Sequence, residues 1–332
     1  MKSYLTDRKQ FVYFDGSSSC ILSQGLGVIQ GSKCGPLLYD IYSSDISKIC
    51  NESEFLMYAD DTCLMFTNDD IEILYREVNV NLEKFSDWCY FNKLSLNPSK
   101  CNYMLLTNKV INQDQPELFL GGEPLEKVDS VKYLGIHLDN KLKYHKHVED
   151  LGKKLCRLRG ISYKLQHHLN VGAAKNFYFS CIYSSLVYCI CIWGGILQCT
   201  QRGRLLVKYH EKIVLHIFNR FVPENVCIFK HMKILKLLDL HKFSVSIYMY
   251  KMLKLNACDT LRDCLELELP QHDYSTRNRN NFVNPFPRVE NIRCNYKFQC
   301  SNIWNDLPSY LKTITSFRMF KKKTMEYFLN MY

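Results

Sequence analysis

The sequence contains no Cys-x-x-Cys pair, although it carries sixteen cysteines. That absence excludes zinc ribbons and thioredoxin-like redox motifs. The tightest pair, Cys189 and Cys191, lies inside an apolar run. The cysteines are therefore expected to be reduced, mostly buried thiols of an intracellular protein, in nucleus or cytoplasm. A zinc site assembled from distant cysteines is the alternative. The opening residues, Met1 to Arg8, hold no apolar core of a secretory signal. No solenoid-type internal repeat occurs. Long apolar runs are scarce as well. Only residues 177–197 lack charge at a length near that of a membrane span. Three serines and three tyrosines dilute that run, so a buried core helix is expected and no membrane partner.

What the sequence does have is the balance of a globular protein. Of 332 residues, 47% are apolar and 23% charged. The net charge of +10 is unevenly spread. Residues 1–100 carry nine Lys/Arg against fourteen Asp/Glu, a net of −5, which leaves +15 for residues 101–332. An acidic first part suits cations, and a basic second part suits a polyanion such as nucleic acid.

The first part alternates strand and helix signals, an α+β pattern. Gln10–Phe14 reads as a strand, and Asp15-Gly16 as a turn. Pro36 opens a helix whose apolar residues Leu37, Leu38, Ile41, Tyr42, Ile46 and Ile49 recur at helical spacing. Asn68-Asp69-Asp70 reads as the cap of a second helix, with Ile71, Leu74, Val78, Leu82, Phe85 and Trp88 on one face. Strands follow at Asn102–Leu106, Leu118–Leu120 and Val131–Leu138. Beyond Leu142 strand signals almost vanish, and helices are expected over about 144–166, 172–193, 203–220 and 241–255. The expected divisions are 1–140, 141–270 and a small unit over 271–332. That last unit opens with a polar loop, Gln271 to Asn284, and carries Lys321, Lys322 and Lys323 on its last helix.

Tyr58-Ala59-Asp60-Asp61 lies between two short apolar runs, Phe55–Met57 and Cys63–Phe66. That arrangement predicts a tight β-hairpin presenting two carboxylates. Like charges about 4 Å apart repel by roughly 1 kcal/mol in water and about 4 kcal/mol near a protein surface. A hard divalent cation such as Mg²⁺ reverses the sign. A solvated turn is the plain alternative, since Asp is a common turn residue. Adjacent residues on an extended chain point to opposite sides, so the pair cannot face one metal centre equally.

Three further blocks stand in order around the hairpin. They are Gly27–Ser32 with Gly35-Pro36-Leu37-Leu38, then Asn92–Lys100, then Lys132–Asp139. Together the four blocks resemble the palm motifs of the reverse transcriptases of non-LTR retrotransposons. The similarity continues through Tyr274–Asn278 and Ile303–Pro308. The resemblance implies a right-hand polymerase palm of α+β class, followed by a mostly α-helical thumb and a C-terminal extension. It implies RNA-directed DNA polymerase activity, with an RNA template, a DNA primer and deoxynucleoside triphosphates as partners. Two Mg²⁺ ions would activate the attacking hydroxyl and neutralise the leaving pyrophosphate. Asp60 and Asp61 would be the catalytic metal ligands, with Tyr58 beneath the primer end. Gln30 and Gly31 would face the nucleotide, and Lys100 would approach the pyrophosphate. Lys153, Lys154, Arg157 and Arg159 would grip template–primer phosphates.

The sequence departs from that family in places. Ile29 stands where proline is usual, and Lys33 and Cys34 where apolar residues are usual. The palm is expected to be partial, missing the fingers and the first palm strand with its catalytic Asp. Asp15, before Gly16, reads as a turn residue rather than a replacement. No endonuclease or RNase H constellation can be assembled. The expected function is template-directed DNA synthesis on RNA, incomplete and inactive in this chain alone. Two other readings stand beside it: a non-catalytic nucleic-acid-binding remnant of a retroelement, and a membrane-associated protein anchored through residues 177–197.

Overall fold

A computed structural model describes residues 2–49, 53–109, 115–257, 281–282 and 295–332. The Tyr274–Asn278 block lies outside the described residues, as does the expected polar loop apart from residues 281 and 282. The chain divides into two compact units. One is Met1–Leu105 with Lys109–Val128, and the other is Leu106–Asn108 with Asp129–Tyr332.

The first unit is built of short hairpins around two helices. After α1 (Lys2–Leu5), β1 (Arg8–Gln10) pairs antiparallel with β4 (Leu22–Gln24), and between them β2 (Tyr13–Phe14) pairs with β3 (Ser17–Ser18). The turn joining β2 and β3 is Asp15-Gly16, and both residues take positive φ, 44° and 77°. Asp-Gly suits a two-residue turn of that kind, so Asp15 has a structural role. The expected strand over Gln10–Phe14 is thus split in two.

Helix α2 (Gly35–Ser43) carries Pro36 in its first turn and stops six residues short of the expected end. The hydroxyls of Ser43 and Ser44 explain the stop. They donate to the carbonyls of Tyr39 and Ile41, each at 2.9 Å, competing with the helical ladder. A short 3₁₀ turn, Ile46–Lys48, buries Ile46 instead.

Strands β5 (Glu54–Tyr58) and β6 (Asp61–Met65) form the expected hairpin. Its inner face rests on α3 (Ile71–Phe91), where Phe55 meets Phe85 with ring centroids 6.3 Å apart. Asp70 caps α3 by accepting the amides of Glu72 and Ile73 at 2.8 and 3.1 Å. The strand expected over Asn102–Leu106 shortens to β7 (Asn102–Tyr103). The hairpin of β8 (Phe119–Leu120) and β9 (Glu123–Pro124) is clamped to α3 by Asn79. Its amide donates to the Glu117 carbonyl at 3.0 Å and accepts from the Phe119 amide at 2.9 Å. Strand β10 (Glu126–Lys127) runs parallel to β7.

The second unit starts with the hairpin of β11 (Ser130–Tyr133) and β12 (Ile136–Asp139) and is helical thereafter. Helices α4 (His145–Leu165) and α9 (Gln201–Phe218) bury Val148, Leu151 and Leu155 against Leu206, Ile213 and Ile217. Burying such side chains contributes roughly 1.5–3 kcal/mol each.

The helix expected over 172–193 is broken. It becomes α5 (Val171–Phe177), a π-helical turn (Tyr178–Tyr183), α6 (Ser184–Val187) and α7 (Ile190–Trp193), with α8 (Ile196–Cys199) beyond. The break falls at Cys189, which takes φ 49°, and the Trp193 indole takes up the freed Tyr188 carbonyl at 2.9 Å. Within this run Tyr178, Ile182, Leu186, Trp193 and Leu197 are fully buried. No helix among the described residues is long and apolar enough to cross a membrane.

Helices α10 (Ile228–Met232), α11 (Leu237–Lys254), α12 (Tyr296–Asp306), α13 (Ser309–Lys312) and α14 (Phe317–Leu329) complete the same core. The cysteines are less buried than their composition suggests. Of twelve described, only Cys89 and Cys300 are buried, because most of the others sit on partly covered faces.

Two features of this core are testable. Tyr332 donates its hydroxyl hydrogen to Asp239 Oδ2 and accepts the Lys236 amide, both at 2.8 Å, so it serves the otherwise uncapped start of α11. Tyr332→Phe should cost about 1–3 kcal/mol, read as a lower urea midpoint at unchanged slope. His210, on α9, and His241, on α11, are buried, and burial pushes each imidazole down to about 4. An unfolded chain binds those protons near pH 6.5. Stability is therefore fully present above pH 6.5 and is lost as pH falls toward 4, by up to roughly 3 kcal/mol per ring. Replacing His210 by Gln should flatten the stability profile in that window by close to one proton. Identical slopes would contradict the assignment.

Candidate active-site hairpin

The hairpin turn consists of two residues, Ala59 and Asp60, closed by the Tyr58–Asp61 pair. Ala59 sits at φ 53°, a left-handed conformation that glycine usually supplies in such turns. For an L-residue that conformation costs roughly 1–2 kcal/mol. Strain of this kind is tolerated only where surrounding structure imposes it. The alternation of the strands explains the rest. Phe55, Met57 and Leu64 pack toward α3, while Leu56, Tyr58 and Asp61 lie on the outer face and are exposed. Asp60 is in the turn itself and Asp61 is the first residue of β6. The two carboxylates therefore stem from different backbone settings.

Neither carboxylate makes a hydrogen bond or ion pair among the described residues. The group that feels Asp60 is Tyr39 on α2. Its phenol is pushed up first by burial and then by the charge of Asp60, with smaller contributions from Cys89 and Asp40. Sequence reasoning missed Tyr39. The signal was its place one residue beyond the Gly35–Leu38 block, on the helix that this block begins.

Gln30 and Gly31 occupy an exposed turn ahead of α2, with Gly31 at φ 78°. A side chain at Gly31 would meet no atom within 4 Å, so the backbone conformation rather than crowding requires glycine there. The loop is pinned from outside. Arg8 donates to the carbonyls of Leu26 and Gly27 at 3.0 and 2.6 Å, Tyr4 bonds Ser32, and Ser32 Oγ accepts the Gly35 amide at 3.0 Å. Tyr42, one turn along α2 from Tyr39, donates its hydroxyl to the Asn92 carbonyl, at the head of the third block.

Helix α2 thus follows the Gln30-Gly31 turn, bonds the Asn92 block through Tyr42 and feels the charge of the hairpin's Asp60 through Tyr39. Lys100 ends a 3₁₀ turn, Pro98–Lys100, and its side chain is exposed. Neither Lys100 nor Gln30 makes a hydrogen bond or ion pair with Asp60 or Asp61. The fourth block, Lys132–Asp139, belongs to the second unit.

Two neighbouring carboxylates supply hard oxygen ligands, the right chemistry for Mg²⁺. No group of three or more His, Cys, Asp or Glu side chains converges anywhere among the described residues. The described residues therefore do not make a two-metal centre on their own.

Residues 1–138 match the family described as reverse transcriptase (RNA-dependent DNA polymerase). The chain is 27% identical over 220 residues to the probable RNA-directed DNA polymerase from transposon X-element of Drosophila melanogaster, covering 64% of this chain and 24% of that protein. It is 28% identical over 205 residues to the RNA-directed DNA polymerase from mobile element jockey of the same organism, covering 58% and 22%. A probable RNA-directed DNA polymerase from transposon BS of that organism is similar to the same degree, 28% over 204 residues. No solved structure matches the chain. The chain spans less than a quarter of the length of the curated relatives it matches. Over residues 1–138, which hold the hairpin carboxylates and most of the ordered blocks, the chain is thus similar to a reverse transcriptase domain, and its relatives in Drosophila are polymerases of mobile elements.

Proposed function

We propose that this chain is part of the polymerase of a retroelement, and that Asp60 and Asp61 are its share of a metal centre for template-directed DNA synthesis on RNA. The observation that carries the reading is the turn. It holds two carboxylates without a neutralising partner among the described residues, next to a strained residue, with Tyr39 of α2 feeling the charge of Asp60. The substrates are an RNA template, a primer with a free 3′-hydroxyl and deoxynucleoside triphosphates, as the names of the Drosophila relatives suggest. Mg²⁺ would supply charge neutralisation at the reacting phosphate. Since two carboxylates fall short of a chelate, a further acidic ligand must come from outside the described residues.

The remaining roles follow the blocks. Tyr58 sits on the outer face next to Asp61 and would support the primer end. Gly31 allows a close backbone approach to a nucleotide, and Gln30 offers both a donor and an acceptor. Lys100 would serve the leaving pyrophosphate from its exposed 3₁₀ turn. Residues 141–270 would act as a thumb. Lys153, Lys154, Arg157 and Arg159 of α4 would hold the duplex through its phosphates, and residues 271–332 would form an extension to it.

The second reading, a binding remnant without catalysis, is favoured by the incomplete donor set alone. Primer extension on primed RNA with Mg²⁺ separates the two. Joined to the upstream polymerase segment of a Drosophila relative, the chain should incorporate nucleotides, and Asp60→Ala should reduce the rate roughly 100-fold or more. The unaided chain and its Asp60→Ala form should both stay at background. Equal incorporation by joined wild type and joined variant would leave only the remnant reading.

A further inference from the structure

The sequence block Ile303–Pro308 plays no part in the carboxylate hairpin, yet its polar residue Asn305 is fully engaged. Asn305 lies near the C-terminal end of α12 and meets the backbone of Phe282. Its Oδ1 accepts the Phe282 amide at 2.8 Å, and its Nδ2 donates to the Phe282 carbonyl at 2.9 Å. One side-chain amide thus satisfies both backbone groups of a single residue. Paired residues of an antiparallel ladder exchange N–H and C=O bonds in the same double fashion. Only Asn and Gln carry a neutral donor and acceptor side by side in this way.

Two further contacts frame the same dipeptide. The ring of Phe282 is 9% exposed and belongs to the core that includes Trp304, Leu307 and Leu311. The ammonium of Lys312 donates to Asn281 Oδ1 at 3.0 Å and to the Asn305 carbonyl at 2.9 Å. That carbonyl falls in the last turn of α12, where the helix supplies no donor of its own. Pro308 follows the end of α12, and α13, which starts at once, brings Lys312 within reach of it. A half-buried ammonium is costly unless its donors are used, and two neutral acceptors use them here.

These contacts define what the site accepts. Asn305 reads an extended backbone, whatever its side chain. The core takes a large apolar ring and excludes a charged one. Lys312 requires an oxygen acceptor on the residue before the ring.

We propose that Asn305, Lys312 and the adjoining core form a peptide-binding clasp for an extended segment in which an aromatic residue follows a side-chain acceptor, and that its occupant is the chain's own Asn281-Phe282. The clasp gives the Ile303–Pro308 block a role. Trp304 and Leu307 belong to the core that seats the ring, Asn305 reads the peptide, and Pro308 closes the helix so that Lys312 can brace it. The occupant follows the Tyr274–Asn278 block closely in sequence, so the clasp tethers the chain just behind that block. It uses no residue of the carboxylate hairpin and no polymerase substrate, so it stands or falls apart from the proposed function.

The test displaces the occupant in the full-length chain. A fluorescein-labelled peptide of residues 277–285 should bind the Phe282→Ala chain, read by fluorescence anisotropy. The wild-type chain should bind it at least tenfold more weakly, because its own segment competes at an effective concentration on the order of mM. Adding Asn305→Leu to Phe282→Ala should weaken binding at least tenfold, and the same peptide carrying Phe282→Ala should not bind. Hydrogen exchange by mass spectrometry guards against misfolding. In the single Asn305→Leu chain the Phe282 amide should exchange at least tenfold faster while the amides of α11 keep their rates. No peptide binding by the Phe282→Ala chain, or equal binding by all three chains, overturns the clasp. Exchange that rises equally in α11 makes Asn305 a general support of the core and overturns it too. A wild-type dimer by light scattering that Phe282→Ala abolishes assigns the seat to a second copy and overturns the occupant in cis.

Discussion

Asp60 and Asp61 stand side by side at a two-residue turn, with no hydrogen bond or ion pair among the described residues to offset their charge. Repulsion between them, roughly 1 kcal/mol in water and more near a protein surface, adds to the cost of a left-handed alanine just before them. The hairpin tolerates both because its other face is anchored. Phe55, Met57 and Leu64 pack on α3, and α3 is held at its start by Asp70 and in its middle by the Asn79 clamp. A turn so supported, with so little compensation among the described residues, is consistent with the cation role proposed for it.

Helix α2 gives this turn its surroundings. One side brings Tyr39 under the influence of Asp60, and Tyr42 fixes the Asn92 carbonyl. The same helix exposes Leu37 and Ile41, 59% and 63% accessible, and the hairpin exposes Leu56. Large exposed apolar side chains in one small unit mark a surface suited to further protein. The second unit contrasts with it, since its helices share one core with many fully buried side chains. The chain thus pairs a well-filled helical unit with a thinly covered one.

Much of this was legible in the sequence where a local rule dominates. The Asp70 cap, the apolar face of α3, the two-residue hairpins and the 21-residue α4 all follow from spacing and capping. The ordered blocks pointed to the reverse transcriptase family that residues 1–138 match. What escaped was decided by side-chain to backbone bonds. Ser43 and Ser44 end α2 early, and Cys189 with the Trp193 indole breaks an apolar run that reads as one helix. Tyr39 escaped because its neighbour Asp60 lies twenty-one positions away and only folding brings them together.

The proposed share of the hairpin in a metal site is read by electron paramagnetic resonance titration with Mn²⁺, which favours the same oxygen ligands as Mg²⁺. The account predicts binding by the unaided chain weaker than about 10⁻⁴ M, removed when Asp60 and Asp61 are both replaced by Ala. Tight binding of two ions by the unaided chain, or binding that survives the double replacement, would contradict it.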